Sequence, residues 1–349
     1  MINISKPKLR FIPEIKKIID SCKLSNGEYV KKFEEDFSKY CGTKHAIAVN
    51  SGTAALHSAL SSLKLENKKV AVPAMTFIAS TNAIIMAGLK PVLVDINEDD
   101  YCINVDKIPK DVGAILAVSL YGHIYNHNEL IKKFKVPIIE DASHSAGARA
   151  GVKSGNVGDI SCFSLYATKN LQAGEGGIVT TNNDSYADFI RKFRQHGTSD
   201  GMNYEMLGHN YKMHEITAAL ANDQLKILDK LIKKRRENAE YYNRMLKNSG
   251  LILPKERNGF YHGYHQYVVL VEKDKYGITR DELNKYLNDN GIQSRIHYPT
   301  PINKIMHMRP FALGNFPVAE RVANTCLSLP VHPYLRKEDL KYIVKEVLI

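Results

Sequence analysis

The sequence predicts an α/β protein: a mostly parallel sheet covered by helices on both faces, followed by a smaller α+β domain. Three observations carry that expectation. Short apolar runs at 46–49, 70–72, 91–94, 114–118, 136–139, 160–164 and 177–181 alternate with segments of helical recurrence. The runs are mostly continuous rather than alternating in polarity, which suits strands buried on both faces and joined by helical crossovers. The loops after several of them collect polar and aromatic residues, as expected where ligands gather beyond the carboxyl ends of parallel strands.

Taken in order, Ile12, Ile15, Ile18 and Ile19 recur at helical spacing within 8–22, and Asn26-Gly27 marks a turn. A second helix at 30–40 buries Phe33 and Phe37 and ends at Gly42. Helices are expected between the strands at 53–63, 77–87 and 129–134. Beyond residue 181 come helix to 193, a Gly- and Asn-bearing loop at 197–212, and a helical pattern at 215–246 long enough to link two domains. A strand at 267–271 and helices at 282–288 and 337–347 complete the chain. The expected division is a large domain at 1–235 and a small one at 236–349.

A chain of 349 residues has room for two such domains and a substantial core. With 44% hydrophobic and 24% charged residues it has the composition of a soluble globular protein. No apolar run approaches the roughly 18 residues of a membrane span, and residues 1–13 are basic and mixed rather than signal-like. A cytoplasmic protein without membrane association is expected. Cys22, Cys41, Cys102, Cys162 and Cys326 are scattered without metal-ligand spacing, so free thiols and no metal site are expected. The net charge of +11 raises the question of nucleic acid. Its densest run, Lys233-Lys234-Arg235-Arg236, lies in a helical pattern and is followed by Glu237, which reads as a solvated helix face. No nucleic-acid partner is expected, and the same field suits a small anionic substrate.

The chemistry centres on Lys169. Ser164 precedes it beyond a strand, and Gly174, Gly176 and Gly177 follow it. A lysine amine forms a Schiff base with an aldehyde such as pyridoxal phosphate (PLP), and glycines let the backbone approach a cofactor closely. Taken alone, a loop lysine is usually solvated surface. Ser51-Gly52-Thr53 at a strand-to-helix junction offers amides and a hydroxyl to a phosphate, or is an ordinary helix cap. Asp141, at a strand end, would keep a pyridine nitrogen protonated, or cap a helix. His144 would meet a phenolic oxygen or satisfy a core backbone group, and Phe77 would stack on a ring or pack in the core.

The motifs join in one order. Asn50-Ser51-Gly52-Thr53-Ala54-Ala55-Leu56 precedes Pro91-Val92-Leu93-Val94-Asp95-Ile96 and Glu140-Asp141-Ala142-Ser143-His144. Thr168-Lys169-Asn170-Leu171, Arg194-Gln195-His196-Gly197, His297-Tyr298-Pro299 and Leu327-Ser328-Leu329-Pro330 follow. Nearly end to end, this resembles the DegT/DnrJ/EryC1/StrS family of PLP-dependent sugar aminotransferases.

The resemblance implies a type I PLP aminotransferase fold, with a mixed seven-stranded sheet in the large domain and a smaller α+β C-terminal domain, assembled as a homodimer. By position it makes Lys169 the Schiff-base lysine, Asp141 the pyridine partner, Phe77 the stacking ring and His144 the neighbour of the phenolic oxygen. Gly52, Thr53 and Ser164 match phosphate positions, and Asn210 matches a residue that reaches the phosphate across the dimer. Arg295, His297 and Tyr298 are expected at the substrate or in packing. The implied reaction takes an amino group from L-glutamate to a nucleotide-linked keto sugar, in precursor synthesis for surface polysaccharide. His144 and Asn210-Tyr211-Lys212-Met213 favour amination at C4 over C3, although Lys212 replaces the usual arginine. The distant alternative is a non-enzymatic regulator that binds nucleic acid.

Overall fold

A computed structural model describes residues 1–349. Seven strands form the main sheet: β1 (His45–Val49), β2 (Lys69–Pro73), β3 (Lys90–Val94), β4 (Ala114–Val118), β5 (Ile138–Asp141), β6 (Ile160–Ser164) and β7 (Gly177–Thr181). Their spatial order is β1-β7-β6-β5-β4-β2-β3. β7 runs antiparallel to both its neighbours, and the remaining pairs are parallel, so the sheet is mixed through one reversed strand.

Both faces are buried, which explains the continuous apolar runs. Along β4, Ala114, Leu116 and Val118 enter one core while Ile115 and Ala117 enter another on the opposite face. Before the sheet come α1 (Pro13–Ser21) and α2 (Glu28–Cys41). The helix α2 buries Val30, Phe33 and Phe37 and ends at Gly42 with φ 76°. Its free N-terminal amides are held by a distant side chain, since Glu215 accepts from the N–H groups of Gly27, Tyr29 and Val30 at 2.8, 2.9 and 3.0 Å. Between strands lie α3 (Gly52–Ser61), α4 (Ile78–Met86) and α5 (His127–Lys133). After β7 come α6 (Asp184–Phe193), α7 (Glu215–Leu225) and α8 (Leu228–Met245).

A second, smaller sheet pairs β8 (Tyr267–Leu270) antiparallel with β9 (Cys326–Leu329). Around it lie the one-turn α9 (Lys273–Tyr276), then α10 (Arg280–Asp289), α11 (Pro317–Thr325) and α12 (Lys337–Val347). Thr279 and Glu282 close a capping box at the start of α10.

Three expectations need correction. The helical pattern at 215–246 is two helices, because Ile227 leaves helical geometry at φ −114° and ψ 0°. The break lets α7 pack on α2 while α8 places Leu228 and Ile232 in one core and Ala239 and Tyr242 in that of the small sheet. The fifth strand starts two residues later than expected, making Asp141 its last residue. The first helix begins only at Pro13, where proline suits the first helical position.

The basic run on α8 does not present four free cations. Arg235 is buried and donates to the carbonyl oxygens of Tyr264 and His265 at 3.3 and 3.2 Å. Lys234 pairs with Glu237 and Arg236 with Glu256. All five cysteines are free thiols, and no helix is long and apolar enough to cross a membrane.

Candidate active site

The carboxyl ends of β1, β2, β4, β5 and β6 open onto one cleft of about 350 Å³. Its wall includes Gly52, Thr53, Phe77, Asp141, His144, Ser164 and Lys169, together with His297 and Tyr298 from the later part of the chain.

The start of α3 forms one side. Ser51 caps it by accepting the Ala54 N–H at 3.1 Å, and its carbonyl accepts from Ala55. The N–H groups of Gly52 and Thr53 are thereby left for a ligand, and no acidic residue occupies the first turn. The helix start lies hard against β6: a Cβ on Gly52 would fall 2.8 Å from Ser164 Cβ. These residues form a cradle for an anion that only glycine leaves open.

Asp141 is 5% exposed. Ser80 Oγ donates to its Oδ2 at 2.7 Å, and the Ser143 N–H donates to Oδ1 at 3.1 Å. Beneath it the neighbouring Glu140 is wholly buried and accepts from the hydroxyls of Ser119, Ser154 and Ser161 at 2.9, 2.9 and 2.8 Å. The Ser145 hydroxyl at 3.4 Å and the Gly155 N–H at 3.0 Å complete the set. That ring of donors ties β5 to β6 through Ser161 and to the residue that follows β4, Ser119.

Lys169 follows β6 in a tight turn, with its N–H donating to the Tyr166 carbonyl at 2.8 Å. The residue as a whole is half-buried, while its amine end lies in the walled cleft. Loss of hydration pushes the amine down to about 8, against an opposing pull from Asp141. Such a group supplies far more neutral amine near neutral pH than a surface lysine.

His144 is sandwiched between Tyr121 and His265, with ring centroids 6.5 and 4.4 Å away. Burial, then Lys169 and His297, hold its pKa well below the usual histidine value, so it is neutral. The Tyr121 N–H donates to Nδ1 at 3.3 Å. An imidazole nitrogen that accepts a hydrogen bond carries no proton, so the single ring proton resides on Nε2.

Phe77 is 55% exposed at the start of α4, with its ring 5.8 Å from that of Tyr298. It is therefore not a core residue, and it stands in the wall of the cleft. His297 binds Ser328 Oγ through Nδ1 at 3.0 Å, and burial followed by Lys169 pushes its pKa down to about 4.

Two of the expected residues lie outside the cleft of their own chain. Asn210 is exposed; its backbone oxygen accepts from Asn50 Nδ2 at 3.2 Å, which ties its loop to the segment after β1. Arg295 is exposed beside the small sheet, where its backbone pairs with Ser328.

Sequence reading missed Ser80, Tyr121 and His265. Tyr121 had a usable signal, because Ser119-Leu120-Tyr121-Gly122 is also a loop after a parallel strand. Ser80 lies one helical turn beyond Phe77, a spacing that says nothing without its partner on β5.

The fold is that of the type I aminotransferases, matching structural neighbours that are aminotransferases. A model of the DegT/DnrJ/EryC1/StrS aminotransferase family matches residues 7–348, and the chain belongs to that family. Its members are PLP-dependent nucleotide-sugar aminotransferases, so the chain is an enzyme of that class and the non-enzymatic alternative is set aside. It is 33% identical to a pleiotropic regulatory protein of Geobacillus stearothermophilus, over 99% of this chain and 97% of the relative. It is 32% identical to the GDP-perosamine synthase of Vibrio cholerae, covering 91% and 90% of the two chains. A 3-aminotransferase of Acidithiobacillus ferrooxidans acting on UDP-N-acetyl-3-dehydro-α-D-glucosamine is 32% identical, covering 94% and 90%. The crystal structure of S. venezuelae DesV in complex with a ketimine intermediate superposes with a TM-score of 0.90 at 32% identity, covering 96% and 92%.

Proposed function

We propose that this enzyme transfers the amino group of L-glutamate to a nucleotide-linked 4-keto-deoxy sugar, using PLP, and supplies an amino sugar for a surface polysaccharide. The observation that carries the reading is the meeting of Lys169, Asp141 and the open start of α3 in one cleft.

The cleft fits the cofactor in three respects. The glycine-opened cradle would take the phosphate through the N–H groups of Gly52 and Thr53 and the hydroxyls of Thr53 and Ser164. Asp141 would hold the proton of the pyridine nitrogen, and His144 would donate from Nε2 to the phenolic oxygen. Phe77 would cover the ring. When bound, PLP supplies an aldehyde for amines and an electron sink for the charge left at a deprotonated carbon.

Lys169 has two tasks in this scheme. Its amine would hold the cofactor's aldehyde in the absence of donor, and the freed Nζ would take the proton from the donor's α-carbon as a base and deliver it, as an acid, to the cofactor's carbon rather than back to the α-carbon. The same Nζ serves the keto sugar in the reverse direction. Exposure of Asn210 outside its own cleft supports a homodimer in which Asn210 serves the second subunit's phosphate cradle.

Assay of the PLP-loaded enzyme with ¹⁵N-glutamate and a panel of UDP-, dTDP- and GDP-linked keto sugars tests the proposal. Label is expected at C4 of the product, and absence of transfer to every sugar would overturn the reading. Label at C3 would favour the second reading, which the similarity to the 3-aminotransferase supports.

A further inference from the structure

Asp141 is nearly inaccessible to water and makes no direct salt bridge, so its charge depends on hydrogen bonds beside the longer-range attraction of Lys169. It has one donor on each oxygen, the Ser143 N–H at 3.1 Å and the Ser80 hydroxyl at 2.7 Å. Ser80 is wholly buried on α4 and takes no part in the cleft wall. Its oxygen also lies 2.9 Å from Thr76 Oγ1.

Proton counting fixes the direction of this chain. A hydroxyl has one proton to give, and an ionised carboxylate can only accept. Ser80 therefore spends its proton on Asp141, and Thr76 must donate to Ser80. The relay runs from Thr76 through Ser80 to Asp141. It spans the segment that also carries Phe77, so that ring and the acid are set relative to each other by one helical turn.

We propose that Ser80 is a positioning residue for the pyridine-binding acid: it keeps Asp141 charged and aimed, with Thr76 fixing the direction of its hydroxyl. This rests on the PLP reading above. Loss of a hydrogen bond to a charged group weakens the function of that group by about tenfold or more.

The test titrates cofactor-free wild type, Ser80→Ala and Ser80→Thr with PLP across a range of pH, and records thermal unfolding of the cofactor-free proteins. Ser80→Ala is expected to bind about tenfold more weakly, and its affinity to fall at a higher pH on the acid side. Ser80→Thr, which keeps the hydroxyl, is expected to restore both. Unchanged affinity and pH profile in a Ser80→Ala protein that is merely less stable would make Ser80 a packing residue and overturn the proposal. Should Ser80→Ala not fold, the near-isosteric Ser80→Cys decides: weakened binding with the shifted profile supports the relay, and wild-type binding overturns it. Failure of the wild type itself to bind PLP would sink the functional reading and this one together.

Discussion

The start of α3 and the end of β6 approach so closely at Gly52 and Ser164 that a methyl group on Gly52 would lie 2.8 Å from the serine Cβ. Ordinary carbon contacts are wider, so Gly52→Ala must move the helix start, the serine, or both. The expected outcome is a folded protein with PLP affinity reduced by about 1–3 kcal/mol, read by titration of the cofactor-free enzyme. Affinity equal to wild type would show that the cradle is not the phosphate site.

The amine of Lys169 should reveal its environment before any cofactor is loaded. Its pKa lies at about 8, so the rate at which cofactor-free protein is labelled by an aldehyde and borohydride should rise through that region. A midpoint near the ordinary lysine value would contradict the desolvated amine. Lys169→Ala should retain PLP without covalent attachment and lose turnover.

Acid should weaken the fold through histidines that it holds neutral. Burial pushes His123 down to about 3 and His332 down to about 4, in both cases below the unfolded value of 6.5. The His332 shift also reflects the nearby cations Arg235 and Lys6. Above pH 6.5 these rings are neutral in both states and contribute no pH dependence. As pH falls below 6.5 the unfolded chain binds protons that the fold refuses, so stability declines until the folded pKa is reached. Urea unfolding should show a loss of roughly 2–3 kcal/mol from His332, allowing for partial screening by solvent, and His332→Gln should flatten the acid limb. A limb unchanged by that substitution would exclude His332 as a source.

Glu140 should matter to stability more than to binding. Glu140→Ala takes this acceptor from four buried serine hydroxyls and the Gly155 N–H. A loss of about 3 kcal/mol or more is expected, measured by chemical unfolding of the cofactor-free protein. A cost below about 1 kcal/mol would mean that the serines re-pair among themselves.

The proposed homodimer, with Asn210 serving the second subunit's cradle, makes a prediction about mixtures. Lys169→Ala and Asn210→Ala homodimers should each be impaired, while a mixed dimer has one cleft with both residues intact. Random reassortment should recover about a quarter of wild-type activity. No recovery in verified mixed dimers would place Asn210 outside the partner's cleft.

Much of the sheet was legible because its strands are buried on both faces, so that apolar runs stand out from the helices between them. The positions of Asp141 and Lys169 at strand ends followed from the same rhythm. The break at Ile227 was not legible, because no proline or glycine marks it and only packing against two different cores bends the chain there. Ser80 was invisible for a related reason. A serine on a helix usually means nothing, and its partner lies 61 residues away.

By itself the sequence determined the alternation of strands and helices, the residue types at the strand ends and the family they resemble, because those are properties of local order and spacing. Tertiary structure alone decided which way protons point: onto Asp141 from Ser80, and onto Nε2 of His144 through the Tyr121 backbone. It also turned Asn210 away from its own cleft and lowered the Lys169 amine. The physical reason is that hydrogen-bond direction and desolvation depend on neighbours brought together in space, and spacing along the chain does not encode them.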